Sequence, residues 1–122
     1  MFRILLIFTS SLLLSSCFKT IEIKNFDASL WKKDRNACNG IRNSISDTLF
    51  NHREELLGFK QQEIEKFLGK PNRTDLDARM RKTFYYYITP ATECDSSIKD
   101  ILSIAIEFES MNRVRFVSKA DL

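Results

Sequence analysis

The hydrophobic pattern of this chain changes period once, and that switch does most to limit the folds open to it. Through residues 27–69 apolar side chains recur at helical spacing, whereas from residue 83 onward they alternate as on a half-buried strand. Asp27 offers a carboxylate to the unpartnered N–H groups of a first helical turn. This predicts a short helix with Leu30 and Trp31 inward that stops near Asn39 and Gly40. Ile41, Ile45, Leu49 and Leu56 share one face of a second, longer helix that ends before Gly58. A third helix spans residues 61–68, with Ile64, Phe67 and Leu68 inward, Gly69 as its C-terminal cap and Pro71 as a stop.

Residues 71–81 are polar and rich in both charges, and read as a loop. Residues 83–88 are β-formers, and Leu102, Ile104, Ile106 and Phe108 alternate with Ser103, Ala105, Glu107 and Glu109. After a turn at residues 110–112, Val114 and Phe116 are expected inward on a last strand, with Arg113 and Arg115 outward. Helices first and strands afterwards predict an α+β domain, its N-terminal helices packed on one face of a three-stranded antiparallel sheet.

A chain of 122 residues holds one such domain and excludes a multidomain enzyme. With 43% apolar and 29% charged residues it has the composition of a packed protein and not of a disordered one. Its formal charge of +3 is too small for the concentrated basic footprint of a nucleic-acid binder, so no nucleic-acid partner is expected.

The first sixteen residues read as an address and not as part of that domain. Arg3 is followed by an apolar run over residues 4–14 and then by small residues, the order of a secretory signal. Such a run, as a helix, reaches about 17 Å and cannot span a hydrocarbon core of about 30 Å. The end of the leader, Leu14-Ser15-Ser16-Cys17, resembles the lipobox of bacterial lipoproteins. That resemblance implies acylation of Cys17 and cleavage before it. Acyl chains contribute about 0.8 kcal/mol per buried methylene, so several of them make attachment to a membrane effectively permanent. Phe18 in place of Asp after the cysteine implies the outer membrane, with the domain facing the periplasm. The expected organisation is a signal over residues 1–16, a lipidated tether over residues 17–26 and the domain over residues 27–119.

Export places Cys38 and Cys94, the two thiols left once Cys17 is acylated, in an oxidising compartment. The even remainder predicts a disulfide. Two free structural thiols, or a cysteine nucleophile served by the sole histidine, His52, are the other readings.

The stretch Gly58-Phe59-Lys60-Gln61-Gln62-Glu63-Ile64-Glu65-Lys66-Phe67-Leu68-Gly69-Lys70-Pro71 is similar to the Gly-Met-Thr, then Val, then Leu-Gly-x-Pro signature of small outer-membrane lipoproteins of the SmpA/OmlA (BamE-like) type. Lys60 stands where that signature has Ser or Thr, and Phe84-Tyr85-Tyr86-Tyr87 falls where the family has an aromatic strand. The resemblance implies a fold like that of BamE and β-lactamase inhibitor protein, and a place in barrel assembly or envelope maintenance.

Tyr85, Tyr87, Arg113 and Arg115 are expected on the sheet face opposite the core, beside Ser103 and Ala105. Tyr and Arg combine large contact area with a polar handle, so this face is the candidate partner-binding surface. Plain surface packing, or cover by the N-terminal segment, are the alternatives. The charged stretch holding Arg73, Asp75, Asp77, Arg79, Arg81 and Lys82 reads as a solvated loop or as a contact for anionic headgroups. A lone histidine among scattered carboxylates makes no metal site. The sequence carries no Gly-rich phosphate loop, Gly-x-Ser-x-Gly elbow or His-Glu-x-x-His helix. The expectation is a non-catalytic binding module without cofactor or small-molecule substrate. An inhibitor-like domain acting on an envelope enzyme and a purely structural surface lipoprotein are the other readings.

Overall fold

The computed structural model describes residues 20–122; the leader and Cys17 lie outside the described residues. Helix α1 (Ala28–Lys33) starts where the sequence places it. Asp27 Oδ1 accepts the N–H of Ser29 at 2.9 Å and of Leu30 at 3.2 Å, as well as the Ser29 hydroxyl. The Ser29 hydroxyl, then the Leu30 N–H, hold this carboxyl below the usual carboxylate range. Trp31 is buried, but Leu30 stays 39% exposed, because a six-residue helix turns only one side to the core.

The helix also ends earlier than expected. Asp34 breaks from it and aims its buried carboxylate forward, accepting the N–H of Asn39 and of Arg42, each at 3.0 Å. Gly40, at φ +74°, therefore opens helix α2 (Ile41–Asn51) instead of closing α1. The segment after α2 tightens into a 3₁₀ turn (Arg53–Leu56) that still buries Leu56. Helix α3 (Gln61–Leu68) has the bounds read from the sequence. The Glu63 carboxylate accepts the Lys60 N–H at its start, and Gly69, at φ +82°, closes it.

Strands β1 (Arg73–Leu76), β2 (Lys82–Tyr87), β3 (Leu102–Phe108) and β4 (Val114–Asp121) form one antiparallel sheet in that order. The sheet thus has four strands and not three. The stretch read as a loop contains β1, which pairs with β2 from Arg73 opposite Tyr85 to Leu76 opposite Lys82. It is an edge strand with no helix-facing apolar load, so it lacks the alternation by which a strand is recognised.

The inner face carries Phe84, Tyr86, Ile88, Ile104, Ile106, Phe108, Val114 and Val117, and packs in one cluster with Trp31, Leu49, Leu56, Ile64 and Leu68 from the helical layer. Ile21 and Ile23 belong to the same cluster, and Phe26 meets the rings of Trp31 and Phe67 at 5.8 and 5.7 Å. The segment read as a tether therefore joins the core from Ile21 onward.

Phe116 faces the opposite way from the one its alternation predicts. Glu107 is opposite Phe116 but Phe108 is opposite Val114, so Arg115 is an extra residue and β4 bulges there. The bulge lets Val114 and Val117 both point inward and leaves Phe116 56% exposed on the outer face. Phe116→Ser is accordingly expected to change stability by no more than about 0.5 kcal/mol, whereas Val117→Ala costs about 2 kcal/mol. Urea titrations of the two variants check this, and the reverse order would return Phe116 to the core.

Candidate functional site

The outer sheet face is built by odd positions of β1, β2 and β3 and, beyond the bulge, by even positions of β4. Arg73, Tyr85, Ala105 and Ser118 form one cross-strand row, and Asp75, Thr83, Glu107 and Phe116 the next. Tyr87, Ser103 and Ala120 form a third. Small residues thus fill the centre, with Tyr85 and Tyr87 on one flank and Phe116 on the other. Ser103 and Ala105 are buried between their neighbours, and the Ser103 hydroxyl donates to the Ala120 carbonyl at 3.1 Å. Tyr85 and Tyr87 are half-buried, and Arg115 is exposed.

The charges on this face are tied to one another. Arg73 makes a two-pronged contact with Asp75 at 2.9 and 3.1 Å, and its guanidinium lies 5.7 Å from the centre of the Tyr85 ring. Arg81 reaches Asp77 at 3.0 Å and Glu107 at 3.7 Å, and Arg115 approaches the same Glu107 oxygen at 4.0 Å. An open depression of about 500 Å³ beside β1 is lined by Arg73, Asp75, Leu76, Asp77, Thr83 and Tyr85. With its guanidinium and carboxylate groups paired, the face is nearly neutral, and its contact capacity lies in Tyr85, Tyr87 and Phe116.

Three of the four residues singled out from the sequence, Tyr85, Tyr87 and Arg115, share this face. Arg113 does not contribute in the same way. Residues 58–60 run alongside the start of β4, and the Arg113 guanidinium turns over that edge to donate to the Gly58 carbonyl at 3.0 Å. Phe116 is the contact residue that sequence reasoning missed, since nothing local marks the bulge that turns it outward.

Cys38 and Cys94 are joined in a disulfide with their Cα atoms 5.4 Å apart. Neither thiol is left free to act as a nucleophile. The bridge closes a corner in which the Asn36 carbonyl accepts the Ala91 N–H at 3.0 Å.

Behind that corner lies a polar knot absent from any sequence expectation. The buried Arg42 guanidinium donates to the Trp31 carbonyl at 3.0 Å, to Asn72 Oδ1 at 2.9 Å and to the Tyr87 carbonyl at 3.4 Å, and stacks 4.7 Å from the Trp31 ring centre. Asn72 Oδ1 also accepts the Tyr87 N–H, while its amide donates to the Arg35 carbonyl. Burial pulls the Arg42 pKa down to about 10, opposed by the nearby Asp34 carboxylate, so the guanidinium stays charged through neutral pH.

His52 sits at the end of α2 with Nδ1 2.8 Å from the Thr48 carbonyl. Among the described residues no group of three or more His, Cys, Asp or Glu is arranged to hold a metal ion. None of the described helices is long and apolar enough to cross a membrane. Neither a protein-family model, nor a curated protein, nor a solved structure matches the chain.

Proposed function

We propose that the chain is a lipid-anchored envelope protein whose domain acts as a non-catalytic protein-binding or scaffolding module. The outer sheet face carries this reading. It presents Tyr85, Tyr87, Arg115 and Phe116, while the described helices pack on the other side of the sheet. Aromatic and guanidinium groups on a preformed, rigid sheet are the side chains that most often dominate association energies. The N-terminal segment from Ile21 to Phe26 packs with the helical layer, which favours binding over a purely structural role for the outer face.

The anchor rests on Arg3, the apolar run and Cys17 in the sequence. A place in outer-membrane assembly or envelope maintenance is the version the SmpA/OmlA-type resemblance implies. An inhibitor-like domain blocking an envelope enzyme would use the same face, and its captured partner would be that enzyme instead of an assembly subunit.

The test is photo-crosslinking from positions 83 and 118 of the same face in intact cells, with the mass of the mature N-terminus measured on the same preparation. An acylated Cys17 and a captured envelope protein are expected. Tyr85→Ala combined with Arg115→Ala should weaken that association roughly tenfold or more while costing about 1–2 kcal/mol of stability, so that the domain stays folded. Unchanged capture by the double variant would remove the face from the mechanism, and an unmodified Cys17 would remove the anchor.

A further inference from the structure

Large apolar side chains exposed among the described residues gather at one end of the molecule. An antiparallel meander puts both tight turns, residues 77–81 and 109–113, at the same end of the sheet. Met80, 72% exposed, and Met111, 76% exposed, form the two tips, and the hairpins they crown are about 10 Å apart. Leu76 and Phe116 flank the tips at the ends of β1 and β4, and Leu57 precedes the residues that pair with the start of β4. Leu30 is the exposed large apolar side chain that lies elsewhere.

The first tip is built at a cost. Met80 has φ +63°, a left-handed conformation that glycine or asparagine adopts with less strain. The turn beneath it is otherwise fully bonded, with the Asp77 carboxylate accepting the N–H of Arg79 at 2.8 Å and of Arg81 at 2.9 Å. Nothing in that turn requires a large apolar residue, yet one is held there and pointed at solvent. At the second turn the positive-φ position is Asn112, with Met111 beside it.

Around the tips stand Lys60, Arg79, Lys82 and Arg113. Among the described residues no ammonium or guanidinium of these four is ion-paired with a carboxylate, whereas those of Arg73, Arg81 and Arg115 are. Lys82 donates to Gln61 Oε1 and Arg113 to the Gly58 carbonyl. Glu109, the capping Glu63 and, in the turn before Leu57, the exposed Glu54 and Glu55 are acids near this end outside those ion pairs.

We propose that this end of the sheet docks on an anionic bilayer, with Met80 and Met111 entering the boundary between headgroups and acyl chains and the four cations lying among the headgroups. The shape favours lipid over a protein pocket. Two convex prongs carrying unbranched, adaptable side chains need a surface that yields, whereas a folded partner would need two matching cavities. Each basic side chain near such a surface adds only modestly, so the contact orients a domain already held there. The sheet then stands on end, and its Tyr-bearing face opens sideways. The orientation rests on the proposed anchor at Cys17 for what holds the domain at the surface, whereas the contact of the two tips with lipid is independent of it.

The test uses the purified protein in Met80→Trp and Met111→Trp forms, mixed with phosphatidylcholine vesicles with or without phosphatidylglycerol and carrying acyl-brominated lipid. Trp31 is buried and gives a constant background. Blue-shifted, bromine-quenched emission from both tips is expected, stronger with phosphatidylglycerol. Replacing both methionines by Ser and placing Trp at position 76 should lower the quenched fraction roughly tenfold.

Water-like, unquenched emission from both tips in both vesicles would overturn the proposal. Acylated Cys17 would still carry that protein down with the vesicles, so the anchor reading is scored separately. A blue shift that follows protein concentration without lipid would overturn it as well, by assigning the tips to a second copy of the chain.

Discussion

Arg42→Ala is expected to destabilise the domain by about 3–5 kcal/mol, the largest loss from any single side chain outside the apolar core. The substitution strips the Trp31 carbonyl, the Tyr87 carbonyl and Asn72 Oδ1 of a shared donor. It also leaves the buried Asp34 carboxylate without its nearby cation. Arg42→Lys keeps the charge but replaces a planar fork by a single ammonium, so most of the loss should remain. Guanidinium chloride titration measures both variants. A cost below about 1 kcal/mol for the alanine form would mean that the three acceptors find other donors.

Loss of the Cys38–Cys94 bridge is the second large expectation. It spans 56 residues of sequence, and restoring that freedom to the unfolded chain costs about 4 kcal/mol by the chain-entropy argument. Cys38 is exposed, so a reductant reaches the bond without prior unfolding. Thermal unfolding with and without dithiothreitol, compared with the Cys38→Ser and Cys94→Ser double variant, measures the effect. Equal midpoints in all three would show that the corner is held by its hydrogen bonds. Because Asn36, next to the bridge, and Asn72 share one corner with Arg42, losses at Arg42 and at the disulfide should fall short of adding.

The sequence was legible wherever a local rule decided the outcome. Helix α3 has its expected bounds because Gly69 and Pro71 end it regardless of what packs on it. Strands β2 and β3 carry their apolar residues at period two because one face is core. The failures share a cause, which is that tertiary bonds overrode local pattern. Asp34 ends α1 early because its carboxylate serves N–H groups at Asn39 and Arg42. Strand β1 is polar because an edge needs a pairing partner more than a hydrophobic face.

The candidate face was read in part for the same reason. Tyr85 and Tyr87 follow from alternation on β2, whereas Arg113 and Phe116 depend on a neighbouring segment and a bulge that leave no local trace. Arg42 was invisible because its sequence neighbours on α2 are those of any surface arginine.

The early entry of Ile21 into the core would set a working height for the proposed anchored form. On the anchoring proposed at Cys17, four residue steps separate the mooring point from Ile21 and reach at most about 14 Å, too short for the domain to wander. Whatever a domain anchored in that way engages must come down to the membrane surface, since it has no slack with which to go and fetch it.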